Sequence, residues 1–521
     1  MPDVWGASWL AGVPPANRIG AAEAALKAGG QTVRKQLAQW INRLVPVEML
    51  VPEAHHAWRP LVRDAFAFVF SRLSDRRLAT KLVEQMELPA DTPPEQRLIR
   101  LISKMPGLQK LGQVLARNRR LAHSVQKALT QLENGMSDVT ADEIRAIVIE
   151  QLGSRLDIYN VEMEPAIFKE GSASAILPFT WRTPDRERGA FKVLKPYVPA
   201  CFAEDMTLLE QLGEFLADRK LAYGFAVRDL KELVTEVRLL LEHELDFLRE
   251  QATLQEARRL YRGCFGIRVP KLIRPLCTAR ITAMTAENGV KVTEAFRRSL
   301  VRRERIAAQI IEGLIGVPLF SREEMAIFHA DPHAGNLLYD EPDRELVILD
   351  WALTERLSLP LRRHLVMLAV MTILGNPAGV SQAILALSRR DRRGRHVSRR
   401  WVESRVTRFF ARFPHGSPDV LDAMMLLDQM ALEGARFPAA LFLFRKVLFT
   451  LDGVLHDVAG PGVRIDRLMA QDFLTRWAAS FGVFHAPLAL KDCGAIAWNA
   501  LRHAGRAVIA VPRSAATCSG L

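Results

Sequence analysis

Cysteine is scarce in this chain of 521 residues. Cys201, Cys264, Cys277, Cys493 and Cys518 are scattered, odd in number and without CxxC or metal-ligand spacing. That argues against a disulfide framework and a structural zinc, and for a reducing compartment. No run of about 18 uncharged apolar residues occurs, so no spanning helix is expected. Met1 to Leu10 lack a basic patch followed by an apolar core, which predicts no secretory signal. Internal repeats and low-complexity blocks are missing too. A cytoplasmic chain is expected, with any membrane contact peripheral and on the inner face.

What is present is ordinary in bulk and unusual in charge. The apolar share is 49% and the charged share 25%, a globular composition. The length suits a few domains or one large two-lobed unit. The net charge of +13 implies an anionic partner: nucleic acid, anionic lipid or a phosphorylated ligand. No nucleic-acid module or basic-aromatic patch is recognisable, so no specific nucleic-acid partner is expected. Arg389 to Arg395 form a basic loop, read as a solvated linker or, more sharply, as a contact for phosphate-bearing lipid or ligand.

The chemistry concentrates in Phe328-His329-Ala330-Asp331-Pro332-His333-Ala334-Gly335-Asn336 and in Leu346 to Asp350. Leu337 to Tyr339 and Leu346 to Leu349 flank the turn-like Asp340 to Arg344, which predicts a hairpin. Asp331 and Asn336 then sit on the loop entering it and Asp350 at its exit. Kinases place a catalytic base and two metal ligands on such a frame. Asn336 and Asp350 offer the hard oxygens Mg²⁺ requires. Asp331 can orient an attacking hydroxyl and accept its proton.

Upstream, residues 1–20 read as a loose end, and helix is expected from Ala21 to about Leu88 and from Gln96 to about Asn134. The second stretch contains Lys110-Leu111-Gly112-Gln113, with Lys110 and Gln113 on one face. Ala166 to Glu170 is strand-like. Gly171 to Ala175 is a loop of small residues whose backbone N–H groups can approach a phosphate. Strands follow at Ile176 to Thr183 and Ala190 to Leu194, joined by a turn over Pro184 to Gly189, and Lys192 lies in the last of them. A long helix is expected from Asp229 to Arg262. Its apolar stripe, which includes Val237, Leu241, Leu245 and Leu248, takes in Glu244, a carboxylate that then needs Lys192 or Lys110 as partner. Asp246 and Glu250 fall on another face. Short strands are expected at Ile267 to Pro275 and Ala279 to Thr285, helix from Val292 to about Met325, and only helix after Asp350.

This order of motifs resembles the UbiB/AarF family of atypical protein-kinase-like proteins over roughly residues 96–355. Lys110 to Gln113 match the family's KxGQ signature. Gly171 to Ser174 match its alanine-rich nucleotide loop, Ala190 to Pro196 its ATP-lysine strand, Glu244-Leu245-Asp246 its ExD motif, and His329 to Asn336 its catalytic loop. The resemblance implies an α+β, mostly helical, two-lobed kinase-like fold: a small antiparallel sheet in the N-lobe, a helical C-lobe and added N-terminal helices. It implies ATP and Mg²⁺ as cofactors. Lys192 would bind the α/β-phosphates, held by Glu250, whereas the stripe argument turns Glu244 inward instead. Ser172, Ala173 and Ser174 would line the phosphates, with Lys110, Gln113, Glu244 and Asp246 over the pocket. Asn336 and Asp350 would hold Mg²⁺, and Asp331 would position a water or acceptor hydroxyl. An isoprenoid or quinone-type lipid and an anionic membrane surface are the implied partners.

The sequence departs from the family pattern at Trp351-Ala352, where Phe-Gly is usual, at Ala175-Ile176-Leu177-Pro178, and at Thr285. The expected division is 1–95 and 96–160 as helical extensions, 161–290 as N-lobe and 291–521 as C-lobe. Rival readings are a pseudokinase scaffold, favoured by Trp351-Ala352, and a small-molecule phosphotransferase of the aminoglycoside-kinase type, which the KxGQ and ExD helices oppose.

Overall fold

The computed structural model describes residues 8–51, 53–116, 138–181, 187–219, 237–238, 241–296, 299–390, 396–413, 418–479 and 487–509. The chain divides into two compact units, Met1–Arg249 with Leu272–Ala286, and Glu250–Lys271 with Glu287–Leu521. Helix predominates and the sheets are small, the α+β class the sequence implies.

The first unit begins with helices Arg18–Leu44, Arg59–Arg72, Asp75–Met86, Pro94–Ile102 and Pro106–Ala116. Their apolar faces, with Leu26, Ile41, Phe70 and Leu82, bury against Leu208, Leu212 and Leu216 of helix Val198–Asp218. The continuous helix expected from Gln96 breaks after Ile102. Proline at 106 has no N–H and disfavours the helical conformation at Met105, and Lys104 turns to φ 54°. The remainder of that expected helix, 117–137, lies outside the described residues.

The sheet of this unit starts with strands β1 (Glu162–Met163), β2 (Lys169–Glu170), β3 (Ser174–Trp181) and β4 (Glu187–Leu194). Strand β5 (Ile267–Arg268) belongs to the second unit, and β6 (Ile281–Thr285) returns to the first. The order is β1-β3-β4-β6, with β2 also on β3, all antiparallel. Alternation along β3 buries Ala175, Leu177, Phe179 and Trp181 in one core with Ile144, Ile147 and Val148 of helix Ala141–Leu152. Phe179 stacks on Phe191 at 3.9 Å between ring centres. Gly189 lies opposite Phe179, where a Cβ would meet the ring at 2.4 Å, so only glycine fits. The strand expected from Ala166 is confined to Lys169–Glu170, and β3 already begins at Ser174. The expected turn falls partly on 182–186, outside the described residues.

The second unit continues with β7 (Val290–Lys291), β8 (Met325–His329), β9 (Leu337–Asp340), β10 (Glu345–Ile348) and β11 (Thr354–Ser358). The expected hairpin is β9–β10, inside a sheet ordered β5-β10-β9-β7. Arg268 clamps it, pairing with Glu287, Asp340, Asp343 and Glu345. Strand β11, where helix was expected, pairs antiparallel with β8. The run Met325 to Phe328 has no polar alternation, and β11 is too short to show a period, so neither carries a strand signature. Fully buried Arg362 donates to the carbonyls of Leu319, Ser321 and Glu323, which holds the turn leading into β8. Among the described residues no helix is long and apolar enough to cross a membrane.

Candidate functional site

The sequence-selected residues divide between the two units. In the second unit a cluster is built on the end of β8. His329 is buried, and its Nδ1 accepts from the Asp331 N–H at 3.2 Å. Its Nε2 lies 3.0 Å from the Leu349 carbonyl, which assigns the ring proton to Nε2. The Leu349 N–H donates to the Asn336 carbonyl at 2.9 Å. Asn336, also buried, donates its amide to the Asp331 carbonyl at 3.2 Å. A closed ring of hydrogen bonds thus ties the catalytic-loop segment to the residue before Asp350. Because the Asn336 nitrogen is committed inward, its oxygen is the end left for a cation. Asp331 is half-buried, with His333 Nε2 3.8 Å from its carboxylate.

Asp350 is exposed and adopts φ 53°, a conformation Asp and Asn tolerate better than most residues. Trp351 behind it is 1% exposed. Its indole donates to the Ile348 carbonyl at 3.1 Å and meets the His329 and Tyr261 rings edge-on. Its own carbonyl accepts from Thr253 Oγ1 at 2.8 Å. The Trp-Ala pair in place of Phe-Gly therefore fills a buried, hydrogen-bonded slot and fixes the backbone beside Asp350.

Among the described residues no group of three or more His, Cys, Asp or Glu could hold a metal ion. An Asn-Asp pair supplies hard oxygens alone and leaves the other positions to water and phosphate oxygens. That donor set fits Mg²⁺ and does not fit zinc.

In the first unit Lys192 lies on β4, between Ile176 of β3 and Thr282 of β6. It is buried, not water-facing, with Nζ 5.8 Å from the Phe247 ring centre. The Lys110 ammonium pairs with the Glu244 carboxylate, whose other oxygen accepts from Ser172 Oγ at 3.2 Å. Of the two partners the sequence offered Glu244, Lys110 is the one found. Buried Gln109, its amide oriented by its neighbours, donates to the Ser172 carbonyl at 3.2 Å. The helix Pro106–Ala116 is thereby fastened to the small-residue loop, of which Ala173 is buried and Ser172 and Ser174 are half-buried. Gly107 allows the close approach of this helix to Val198–Asp218. A Cβ there would stand 3.1 Å from Leu209 and 3.2 Å from Asp205, and its N–H donates to Asp205 at 2.8 Å. Gln113 is on the same helix, but its side chain lies outside the described residues.

The long helix expected through Glu244 to Arg262 is interrupted at Asp246. The Asp246 carboxylate accepts the Arg249 N–H at 2.9 Å and so caps the helix Phe247–Leu260. The interruption resets the helical phase. Val237 and Leu241 are buried as the stripe predicts, but Leu248 is 59% exposed and Glu250 is 3% exposed. The stripe argument therefore fails beyond Asp246, and Glu250 is the buried carboxylate. Leu230, Leu233, Val234 and Leu240 lie outside the described residues.

Sequence reasoning missed a second lysine. Lys195 is 1% exposed, and its ammonium meets Asp138 at 2.6 Å and Glu170 at 3.0 Å. The Tyr197 hydroxyl donates to Asp138 at 2.9 Å. Burial first, then the Asp138 charge, pushes the Tyr197 phenol far above its ordinary pKa. The Lys195 N–H donates to the Ala173 carbonyl at 3.0 Å, so this buried cluster anchors the small-residue loop from behind. A lysine wedged between Leu194 and Pro196 was the available signal; Asp138 gives none.

A family model described as the ABC1 atypical kinase-like domain matches residues 131–384. Among curated proteins the chain is similar to "Protein ACTIVITY OF BC1 COMPLEX KINASE 7, chloroplastic" of Arabidopsis thaliana, 23% identical over 381 residues, 71% of this chain and 53% of that protein. The chain thus spans about half the length of that curated relative. Among solved structures it is similar to Rv3197 of Mycobacterium tuberculosis in complex with erythromycin. The TM-score is 0.45 at 17% identity, covering 72% of this chain and 94% of that one.

Proposed function

Because this chain belongs to the UbiB/ABC1 family of atypical kinase-like proteins, we propose that it is a Mg²⁺-dependent ATP-using enzyme, an ATPase or a small-molecule or lipid kinase. Lys192, held by Glu250, takes the α/β-phosphates, and Ser172, Ala173 and Ser174 line them with backbone and hydroxyl donors. Asn336 and Asp350 hold Mg²⁺, which when bound neutralises phosphate charge. Asp331 orients a water or acceptor hydroxyl and takes its proton. Lys110, Gln113, Glu244 and Asp246 cover the nucleotide, an arrangement that favours ATP hydrolysis or a small acceptor over a protein substrate. The acceptor is an isoprenoid or quinone-type lipid, handled at an anionic membrane surface by peripheral contact. The role is support of isoprenoid quinone biosynthesis or lipid homeostasis.

One observation carries this reading: the hydrogen-bond ring through His329, Asp331, Asn336 and Leu349. A merely structural hairpin has no need to fix a base and a hard-oxygen donor on its entry loop and to tie them to the residue before a second such donor. The alternative, a nucleotide- or lipid-binding scaffold without phosphotransfer, draws support from the buried Trp351, which leaves no glycine hinge beside Asp350.

ATP hydrolysis with Mg²⁺, with and without anionic liposomes, separates the two for the wild type and Asp350→Asn. Turnover in the wild type and its loss in the variant are expected. Equal background rates in all four would leave the scaffold. A wild-type rate indifferent to liposomes would remove the membrane part.

A further inference from the structure

The basic loop singled out in the sequence has no part in that chemistry, and its first residue meets another arginine. Arg389 and Arg436 form an isolated antiparallel bridge, the Arg389 N–H donating to the Arg436 carbonyl at 2.7 Å. Residues directly opposed in such a bridge project to the same side with Cβ atoms about 5 Å apart, and like charges there repel. Both arginines are exposed, and among the described residues neither guanidinium has a carboxylate within ion-pair distance. Among the described residues the two side chains gain no ion pair from this juxtaposition.

The two arginines line a cavity of about 250 Å³ together with His396, Trp401 and Glu433. Glu433 does not neutralise them, because Arg405 holds its carboxylate at 2.6 Å. The Arg405 guanidinium also lies 5.6 Å from the Trp401 ring centre, which fixes the indole at the cavity wall. Trp401 is in the first turn of helix Arg399–Phe410, whose N-terminal N–H groups add to the positive field. The cavity thus offers two guanidinium forks, an imidazole and an aromatic face. Paired forks match the oxygens of a phosphate in geometry and charge. The volume is below the roughly 300–1,000 Å³ of drug-sized pockets.

We infer that this cavity is a second ligand site, for a phosphomonoester group, with Arg389 and Arg436 gripping the phosphate and Trp401 covering the carbon skeleton. It lies wholly in the second unit and stands apart from the kinase-like reading. A phosphorylated metabolite and a lipid headgroup present the same chemistry.

Titration calorimetry of the full chain with glycerol phosphate tests the soluble source. Co-sedimentation with phosphatidylcholine vesicles, with and without phosphatidic acid, tests the lipid source. Binding in either arm that weakens about tenfold or more in Arg389→Gln/Arg436→Gln supports the site and names its source. Asp350→Asn should bind like the wild type, which separates this site from the nucleotide chemistry. Without ligand the double variant should melt slightly higher than the wild type, since its like-charge repulsion is gone. Single Arg436→Gln gives the same comparison should the double variant express poorly. No binding in either arm, or equal binding by wild type and variant, overturns the inference.

Discussion

Thr253 Oγ1 donates to the main-chain carbonyl of Trp351 at 2.8 Å, from a helix nearly a hundred residues earlier in the chain. The residue after the proposed metal ligand is thereby held from both ends, by its carbonyl and by its buried indole. Trp351→Ala should lower the unfolding free energy by about 3–5 kcal/mol, read from urea denaturation. Ala352→Gly should cost only about 0.5–1 kcal/mol. It should also speed amide exchange at residues 350–352. Unchanged exchange would mean that the indole alone holds Asp350.

Lys195 neutralises two buried carboxylates. Lys195→Met leaves Asp138 and Glu170 facing each other without a cation, so a loss of about 3–5 kcal/mol is expected in denaturant unfolding. The main-chain N–H that holds Ala173 survives the substitution, so the small-residue loop keeps that hydrogen bond. A loss below about 1 kcal/mol would show that the two carboxylates are satisfied without the lysine.

Lys110 and Glu244 are partly buried, at 13% and 27% side-chain exposure. A double-mutant cycle with Lys110→Met and Glu244→Gln should return a coupling of about 1 kcal/mol, discounted for solvent screening. Since Glu244 also accepts from Ser172, Glu244→Gln should raise the KM for ATP more than Lys110→Met does. Additive single effects would remove the pair from the account.

Arg363 grips Asp492 with two hydrogen bonds, at 2.7 and 2.8 Å, and seats helix Leu490–Ile509. Burial works against the charged Asp492 carboxylate, but the Arg363 fork and the Ala489 N–H outweigh it and hold its pKa below the ordinary 3.8. The folded-state pKa is depressed, so the contribution is complete above the unfolded value and is lost as pH falls through the folded one. Arg363→Gln should cost about 2 kcal/mol at neutral pH. Its difference from the wild type should shrink as pH drops below 3.8. A difference constant with pH would mean that the arginine acts through packing.

The hairpin Leu337–Ile348 was legible because its turn residues and apolar flanks are local signals. His329, Asp331 and Asn336 were legible as a set because one short loop carries all three. What escaped has non-local causes. Helix Phe247–Leu260 takes its phase from a cap at Asp246, so a stripe drawn across that residue placed Leu248 inward and missed the burial of Glu250. Strand β8 is a uniformly apolar run defined by its pairing with β11. The Lys195 cluster joins residues 57 positions apart, and only the folded chain brings them together.

The left-handed backbone at Asp350 has a practical consequence. At φ 53° a substitution changes two things at once, the carboxylate and the ease with which the main chain holds its turn. Asparagine alters the first and spares the second, glycine removes the carboxylate with the turn still permitted, and alanine or a β-branched residue disturbs both. A saturation series at this one position, scored in parallel for abundance and for turnover, would therefore separate along two axes. Variants that remain abundant yet inactive measure the chemistry of the carboxylate, and variants lost from both measure the geometry of the chain.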